Sequence, residues 1–392
     1  MSNIEELIEK LCPEGVEVKG LGEVAYITIG EFVHKNKQII NGKYPVYNGG
    51  MSNTGLYNEY NNTANKIVIS ARGAYAGFVN KVLVDYWAGN SCYSISMKNS
   101  YLMNWHFVYY MLKHNQSKFI NEQQNGGIPA VSKKQVEKFQ IPIPPLPIQQ
   151  EIVNILDKYT QLQAELEAEL QARRAQYEYY RNQLLNFEGK EVKWSTLGEI
   201  GEFVRGNGLQ KKDFTESGVG CIHYGQIYTY YGTCAYKTKT FVSSEFAKKL
   251  RKAQKGDLVI ATTSENVEDV CKTVVWLGEE EICISGETYI FKHNQNPKYL
   301  AYYLQTPMFF NYKKQNVTGT KVIRLHGDKL DKFKIPIPPL AEQERIVAIL
   351  DQFDKLVNDK REGLPAEIEA RRQQYEYYRG KLLDFKMISE TV

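Results

Sequence analysis

The side chains in this chain whose types and spacing suit chemistry are side chains that bind. Asn, Gly, Tyr and Ser crowd into "HKNKQIINGKYPVYNGGMSNTGLYNEYNN" (34–62), with lysines at 35, 37 and 43. Asn and Gln can read an adenine edge bidentately, and Lys can reach guanine or phosphate. Two further polar loops, "SARGAY" (70–75) and "AGNSCY" (88–93), each follow an apolar, strand-like run. The candidate contacts in this region are Lys35, Lys37, Tyr47, Asn48, Ser52, Asn53, Arg72, Tyr75 and Asn90. A second set lies in "RGNGLQKKDF" (205–214), "IHYGQIYTYYG" (222–232), "TTSEN" (262–266) and "TGTKVIRLH" (318–326). It comprises Arg205, Asn207, Gln210, Lys211, Lys212, Tyr224, Gln226, Tyr228, Ser264, Asn266, Lys321, Arg324 and His326. "KKLRKAQK" (248–255) suits phosphate contacts. Any one loop is explained as an ordinary polar turn. Two diverged sets in one chain point to nucleic acid.

Reactive signatures are missing. There is no GxxxxGK[ST], no HExxH and no Pro-Asp dipeptide. "RGNG" (205–208) reads as a turn. "NPKY" (296–299) superficially resembles the Asn-Pro-Pro-aromatic motif of amino-methyltransferases but lacks the second proline; Asn296 capping a helix with Pro297 in its first turn accounts for it. The six cysteines contain no CxxC, and Cys221, His223, Cys234, Cys271 and Cys283 lack close ligand spacing, so they read as buried thiols in a reduced, cytoplasmic protein. No run approaches the roughly 20 apolar residues of a membrane span. We expect no active site and no cofactor bound by this chain.

The positioning elements follow from an internal repeat. "ARRAQYEYYRNQLLNF" (172–187) returns as "ARRQQYEYYRGKLLDF" (370–385), identical at twelve of sixteen positions. "IPIPPLPIQQEIVNILDKY" from Ile141 returns as "IPIPPLAEQERIVAILDQF" from Ile335, and more faintly "EVKGLGEV" (17–24) matches "EVKWSTLGEI" (191–200). The order is block (1–140), helix (141–188), block (189–334), helix (335–392). The two blocks carry net charges of +3 and +6 and the helical segments −3 and −2, which suits a polyanion for the blocks.

The proline-rich IPIPP entry is extended and opens a helix. In the first copy Ile148, Ile152, Ile155, Tyr159, Leu162, Leu166 and Leu170 form a coiled-coil seam that continues through Tyr177, Tyr180, Leu184 and Phe187. One block cannot bury so long a rod, so the simplest pairing is copy one against copy two, antiparallel. "QAELEAEL" (163–170) is a tandem tetrapeptide whose gain or loss changes the rod by one turn. Copy two carries four extra residues, and Gly363 and Pro365 should interrupt it, with a restart at Pro365. At the N-terminus, Ser2 and Glu5 read as a capping box for a short docking helix that Gly15 stops. "RRxQYEYYR", kept twice, is too polar for pure core and reads as a surface for another protein: Arg173, Arg174, Tyr177, Tyr180 and Arg181, then Arg371, Arg372, Tyr375, Tyr378 and Arg379.

These motifs together, "LCPEGVEVKGLGEV", "IPIPPLxxQxxIVxILD" twice and "ARRxQYEYYRxxLLxF" twice, resemble the specificity subunit of type I restriction–modification systems over essentially the whole chain. The resemblance implies an α+β fold. Two mixed α/β target-recognition domains alternate with two long helices in an antiparallel coiled coil, with a pseudo-twofold internal repeat. It implies that each block reads half of an interrupted site in double-stranded DNA. It also implies that the helices set the gap and dock two methyltransferase subunits carrying S-adenosylmethionine, and that a motor–nuclease subunit joins for restriction. A free-standing bivalent DNA-binding regulator is the alternative.

Overall fold

The computed structural model describes residues 2–121 and 128–388. They form two compact units that differ from the sequence halves: 1–165 with 370–392, and 166–369. Each unit takes one block, one end of the first helix copy and the opposite end of the second.

In the first unit a four-stranded sheet runs in the order Ala25–Ile29, Cys92–Met97, Lys66–Ser70, Val79–Val82, all antiparallel. The central "KIVIS" is buried on both faces, which is why it reads as an unbroken apolar run. The edge strand "AYITI" alternates instead. A three-stranded sheet of Gly55–Tyr57, Tyr44–Tyr47 and Trp87–Ala88 sits in the same block. The second unit repeats the frame. Gly201–Arg205, Thr288–His293, Leu258–Ala261 and Thr273–Trp276 follow the same order, extended by Cys234–Ala235. A second four-stranded sheet has diverged in its place: Thr240–Val242, Val219–Ile222, Ile282–Ile284, Lys252–Ala253.

Both blocks open and close on the same two-stranded ribbon. Glu17–Gly20 pairs with Gln140–Ile143, and Lys193–Thr196 with Lys334–Ile337. The register corrects the sequence match. Lys19 faces Ile141 and Ser195 faces Ile335, so Lys19 is equivalent to Ser195, and the two "EVK" tripeptides are not equivalent.

Each block is fastened to its helix by the same buried device. Gln149 and Gln343 are fully buried. Gln149 accepts from Asn104 N at 2.8 Å and donates to the Pro144 carbonyl at 2.7 Å; Gln343 accepts from Asn296 N at 3.0 Å and donates to the Pro338 carbonyl at 2.9 Å. Those two asparagines in turn cap block helices. Asn104 accepts from His106 N and Phe107 N, and Asn296 from Lys298 N and Tyr299 N, with Pro297 in the first turn. One turn on, Tyr110 donates to Asp157 and Tyr302 to Asp351, each at 2.6 Å. His106 lies 3.3 Å from Asp157, where the second unit puts Lys298 at 2.6 Å from Asp351. "NPKY" is thus a helix start, as expected.

The first long helix spans Leu146–Leu184, 39 residues, or about 59 Å. In the first unit its opening residues Ile148, Ile152 and Leu156 share a core with Leu382, Leu383 and Phe385, and Tyr159 stacks on Tyr378 at 5.8 Å. In the second unit its tail residues Tyr177 and Tyr180 stack on Phe353 at 6.4 and 5.4 Å. In both units the head of one copy meets the tail of the other, the order of antiparallel copies. The seam is not sealed along its length: Leu162 and Leu356 stay 36% and 37% exposed.

Copy two breaks where the sequence indicates. It runs Leu340–Asn358 and Leu364–Leu382. A Cβ on Gly363 would lie 2.5 Å from the Lys355 carbonyl oxygen, so the break requires glycine. The helix Ser2–Leu11 forms and buries Ile4, while the side chain of Ser2 lies outside the described residues. Gly15 (φ +107°) then turns the chain so that Val16 N donates to the Lys386 carbonyl at 2.9 Å and Ile388 N to the Val16 carbonyl at 3.1 Å. The tail of copy two therefore packs on the start of block one, where copy one runs covalently into block two.

Replacing Gln149 or Gln343 by Leu strands a buried N–H and carbonyls. It should cost about 1–3 kcal/mol and lower the melting temperature of the unit concerned in calorimetry of the whole chain. An unchanged transition would show that the glutamine is not the fastening.

Candidate nucleic-acid interface

The polar loops of each block gather at one end of its main sheet. In block two the strand Leu258–Ala261 runs into Thr263–Ser264, which pairs with Ile323–Arg324. Glu287 stands beside this ladder. It accepts from the Thr263 hydroxyl, and its carboxylate lies 3.6 Å from Arg324. Arg205 Nε donates to the Gly286 carbonyl at 3.2 Å, and Tyr224 N to the Ser285 hydroxyl at 2.9 Å. The loops carrying Arg205, Tyr224, Ser264 and Arg324 are thus wired to one short segment, 285–287. Gly206 explains part of "RGNG": a Cβ there would collide with the Ser285 carbonyl, and Gly30 meets the Ala88 carbonyl in the same way in block one.

Block one is wired similarly around Ser91. Asn48 Oδ1 accepts from Ser91 N at 3.2 Å, and Ser70 donates to the Gly50 carbonyl at 2.9 Å. Gly49, with φ +82°, lies against the Arg72 carbonyl. Arg72 bridges Ala130. Asn48, Arg72 and the Gly49–Gly50 turn therefore converge. Ser52, Asn53, Tyr75 and Asn90 are exposed around them, and Tyr47 is half-buried against Tyr86 with burial raising its pKa. Lys35 and Lys37 sit on an exposed 3-10 turn six residues past the edge strand, and Lys211 and Lys212 sit on the matching turn in block two. Gln210 N donates to Asp213 there.

Several amides expected to read bases brace loops instead. Asn207 donates to the Lys249 carbonyl and accepts from Arg251 N, both at 2.8 Å. Gln226 accepts from His223 N and donates to Thr240. Asn266 closes on Asp269 through both ends of its amide. Tyr228 donates to the Thr263 carbonyl at 2.8 Å, and burial raises its pKa. These four position the loops. Lys321 and His326 stay exposed beside Arg324, and the His326 ring lies 3.4 Å from the Thr318 hydroxyl. Glu287 was missed by sequence reading, because nothing local marks an acidic residue before a strand as the partner of an arginine 37 positions on. Burial, then Lys211, lowers the pKa of His223. Among the described residues no cluster of His, Cys, Asp or Glu could hold a metal, and no helix is long and apolar enough to cross a membrane.

The repeated helix face divides differently from expectation. Tyr177 is 5% exposed, and Arg181 lies over its ring at 5.3 Å. Tyr375 and Arg379 repeat this at 5.1 Å, and Tyr378 is half-buried on Tyr159. Tyr177, Arg181, Tyr375, Tyr378 and Arg379 are thus largely packing. The intervening Tyr179 and Tyr377, passed over in the sequence, are 60% and 59% exposed. Tyr180 is 40% exposed. Arg173 and Arg371 each donate to a glutamine one turn on, Gln176 and Gln374, while Arg174 and Arg372 face outward.

Residues 13–173 and 189–370 both match the family model described as the type I restriction modification DNA specificity domain. The chain belongs to the type I restriction–modification specificity family. The specificity subunit of the EcoR124I/EcoR124II type I restriction enzyme of Escherichia coli is 36% identical, over 71% of this chain and 70% of its own length. A Haemophilus influenzae chain assigned as a type I restriction enzyme specificity subunit is 33% identical, over 98% of this chain and 100% of its own. Among solved structures, the S subunit of M. genitalium superposes with a TM-score of 0.59 at 18% identity, covering 94% of this chain and 96% of that one. A chain from a study of type I complex assembly and conformational transition gives 0.61 at 15% identity, covering 94% and 97%. At these identities the likeness is one of fold.

Tyr177→Ala should destabilise the second unit by about 3–5 kcal/mol, as large-to-small core changes do, while Tyr179→Ala should stay within about 0.5 kcal/mol. Chemical denaturation of both variants checks the division of the stripe; equal losses would refute it.

Proposed function

We infer that this chain is the DNA sequence-recognition subunit of a type I restriction–modification complex. Each block reads one half of a split site, and the chemistry belongs to partners. The observation that carries this reading is the pair of equivalent loop clusters. Each stands at the same end of the same sheet, rich in Lys, Arg and small polar residues, in a chain of the specificity family. Phosphate contacts from the exposed lysines would hold the register, and arginine and asparagine would reach base edges.

Two methyltransferase subunits carrying S-adenosylmethionine would dock on the repeated helix surface, with a motor–nuclease subunit joining for restriction. Arg174 with Tyr179, and Arg372 with Tyr377, are the outward residues suited to that contact. The helix Leu146–Leu184 passes from one unit into the other, and "QAELEAEL" lies within it where side chains are largely exposed. Only Leu170 of this stretch packs against a core, that of the second unit; a stretch so lightly packed tolerates a change of length, so this segment suits a spacer.

Co-expression with the methyltransferase subunit, followed by mapping of methylated adenines across the host genome, should reveal a split motif that disappears without this chain. An assembled complex that marks no new sequence would overturn the reading. Inserting one further four-residue unit after Leu170 adds about 6 Å of helix, so the tolerated gap should grow by about one or two base pairs with both half-sites unchanged. Altered half-sites at a fixed gap would sink the spacer role. Tyr179→Ala combined with Tyr377→Ala should reduce co-purification with the methyltransferase and leave the melting temperature intact; undiminished co-purification would remove these residues from the docking surface.

A further inference from the structure

The two blocks share an arginine that sequence comparison does not align. Register fixes the equivalences. Ser70 ends the central strand of block one opposite Cys92, and Ala261 ends that of block two opposite Thr288. One residue on, Val131 N donates to the Ala71 carbonyl at 2.9 Å, and Leu325 N to the Thr262 carbonyl at 3.2 Å. Ala71 therefore matches Thr262, and Val131 matches Leu325. It follows that the antiparallel bridge Arg72–Ala130 in block one is the bridge Thr263–Arg324 in block two. Each bridge holds one arginine, and the two come from opposite strands. Directly opposed residues of an antiparallel pair project from the same face, with Cα atoms about 4.5–5.5 Å apart. Both arginines are exposed on that face.

We propose that Arg72 and Arg324 are equivalent guanine-reading side chains, each serving the half-site of its own block and delivered to one place from opposite strands of the same bridge. The proposal rests on the recognition function inferred above. The bridge lies at the convergence of each block's polar loops, beside Gly49 in one and the 285–287 segment in the other. A guanidinium carries a planar fork of donors that matches the O6 and N7 of guanine. In block two Glu287, held by Thr263, lies against Arg324. A carboxylate there disfavours a phosphate in the same place and holds the fork in one orientation, which suits a base edge. Block one has Ser91 at the position of Glu287, since Ala71 N donates to the Ser91 carbonyl as Thr262 N does to that of Glu287. Arg72 is thus an uncharged-site version of the same reader, and Glu287 is a positioning residue peculiar to block two.

The test is methylation mapping of the full complex with the methyltransferase subunit, assembly being checked by co-purification. Arg324→Ala and Arg324→Lys should each make one guanine position of one half-site degenerate, with discrimination there falling on the order of tenfold or more and the other half-site unchanged. Arg72→Ala should do the same to the other half-site alone. Glu287→Gln should loosen the position that Arg324→Lys loosens. Moving the guanidinium across the bridge, as Arg72→Thr with Ala130→Arg or Thr263→Arg with Arg324→Ala, should restore preference for the guanine lost in the single variant. The proposal falls if the single variants lower methylation uniformly with both half-sites intact, if Arg324→Lys preserves the motif, or if the cross-strand pairs fail to restore it in an assembled complex. A wild-type complex that marks no split sequence would remove the recognition function itself, and this proposal with it. A split sequence that survives the substitutions would remove this proposal alone.

Discussion

A glutamine with nowhere to go but the chain around it holds each half of this protein together. Gln149 and Gln343 sit at the first turn of the repeated helices, fully buried, where every polar atom must find a partner. Each joins the residue before a block helix to the Pro-Pro carbonyl that precedes the long helix. The Tyr–Asp bond about two turns along the long helix, Tyr110 to Asp157 and Tyr302 to Asp351, fixes the rotation of the same joint. With two such points engaged, a block cannot roll on its helix without stranding buried hydrogen-bonding groups. Rigid placement of a reading surface is what sequence recognition requires, since base contacts discriminate only when the donors arrive in register.

The frame was largely legible in the sequence because its physics is local. Pro-Pro forces extended backbone before a helix, Gly363 and Pro365 break one, Asn296 before a proline caps one, and a repeat of sixteen residues marks equivalent surroundings. Compactness was less legible. The sequence reads as block, helix, block, helix, but the chain packs with the tail of copy two against the start of block one, through a backbone pairing of Val16 with Lys386 and Ile388 that side chains do not advertise. The packed seam of the helix stripe was legible and its outward face was not. Tyr177, Tyr179 and Tyr180 have the same composition on paper. The seam spacing puts the first and third toward Phe353, on which they stack, and the second faces out.

The polar loops were legible as loops, and the partners of their individual side chains were not. An asparagine in a polar loop serves equally to accept from a base or from the next turn of its own backbone. Asn207 and Asn266 took the second course because a loop that projects from a sheet must satisfy its own amides before it can present anything, and Gln226 closes the start of the helix Tyr224–Thr229. Arginine resists that fate more often. Its fork carries more donors than a short loop can satisfy, so some of them remain for a partner.

Divergence follows the same division. Where a residue fastens block to helix, the two halves keep it: Gln for Gln, Tyr for Tyr, Asp for Asp. His106 and Lys298 differ there, but both place a side-chain nitrogen beside the carboxylate. Where a residue faces outward at the loop end, the halves are free to move it, even across a strand pair, because a bridge holds its geometry whichever side supplies the long side chain. The Arg72–Ala130 and Thr263–Arg324 bridges are that freedom in its smallest form. A duplicated frame with a fixed joint can therefore acquire two different addresses by changing only side chains that no joint depends on.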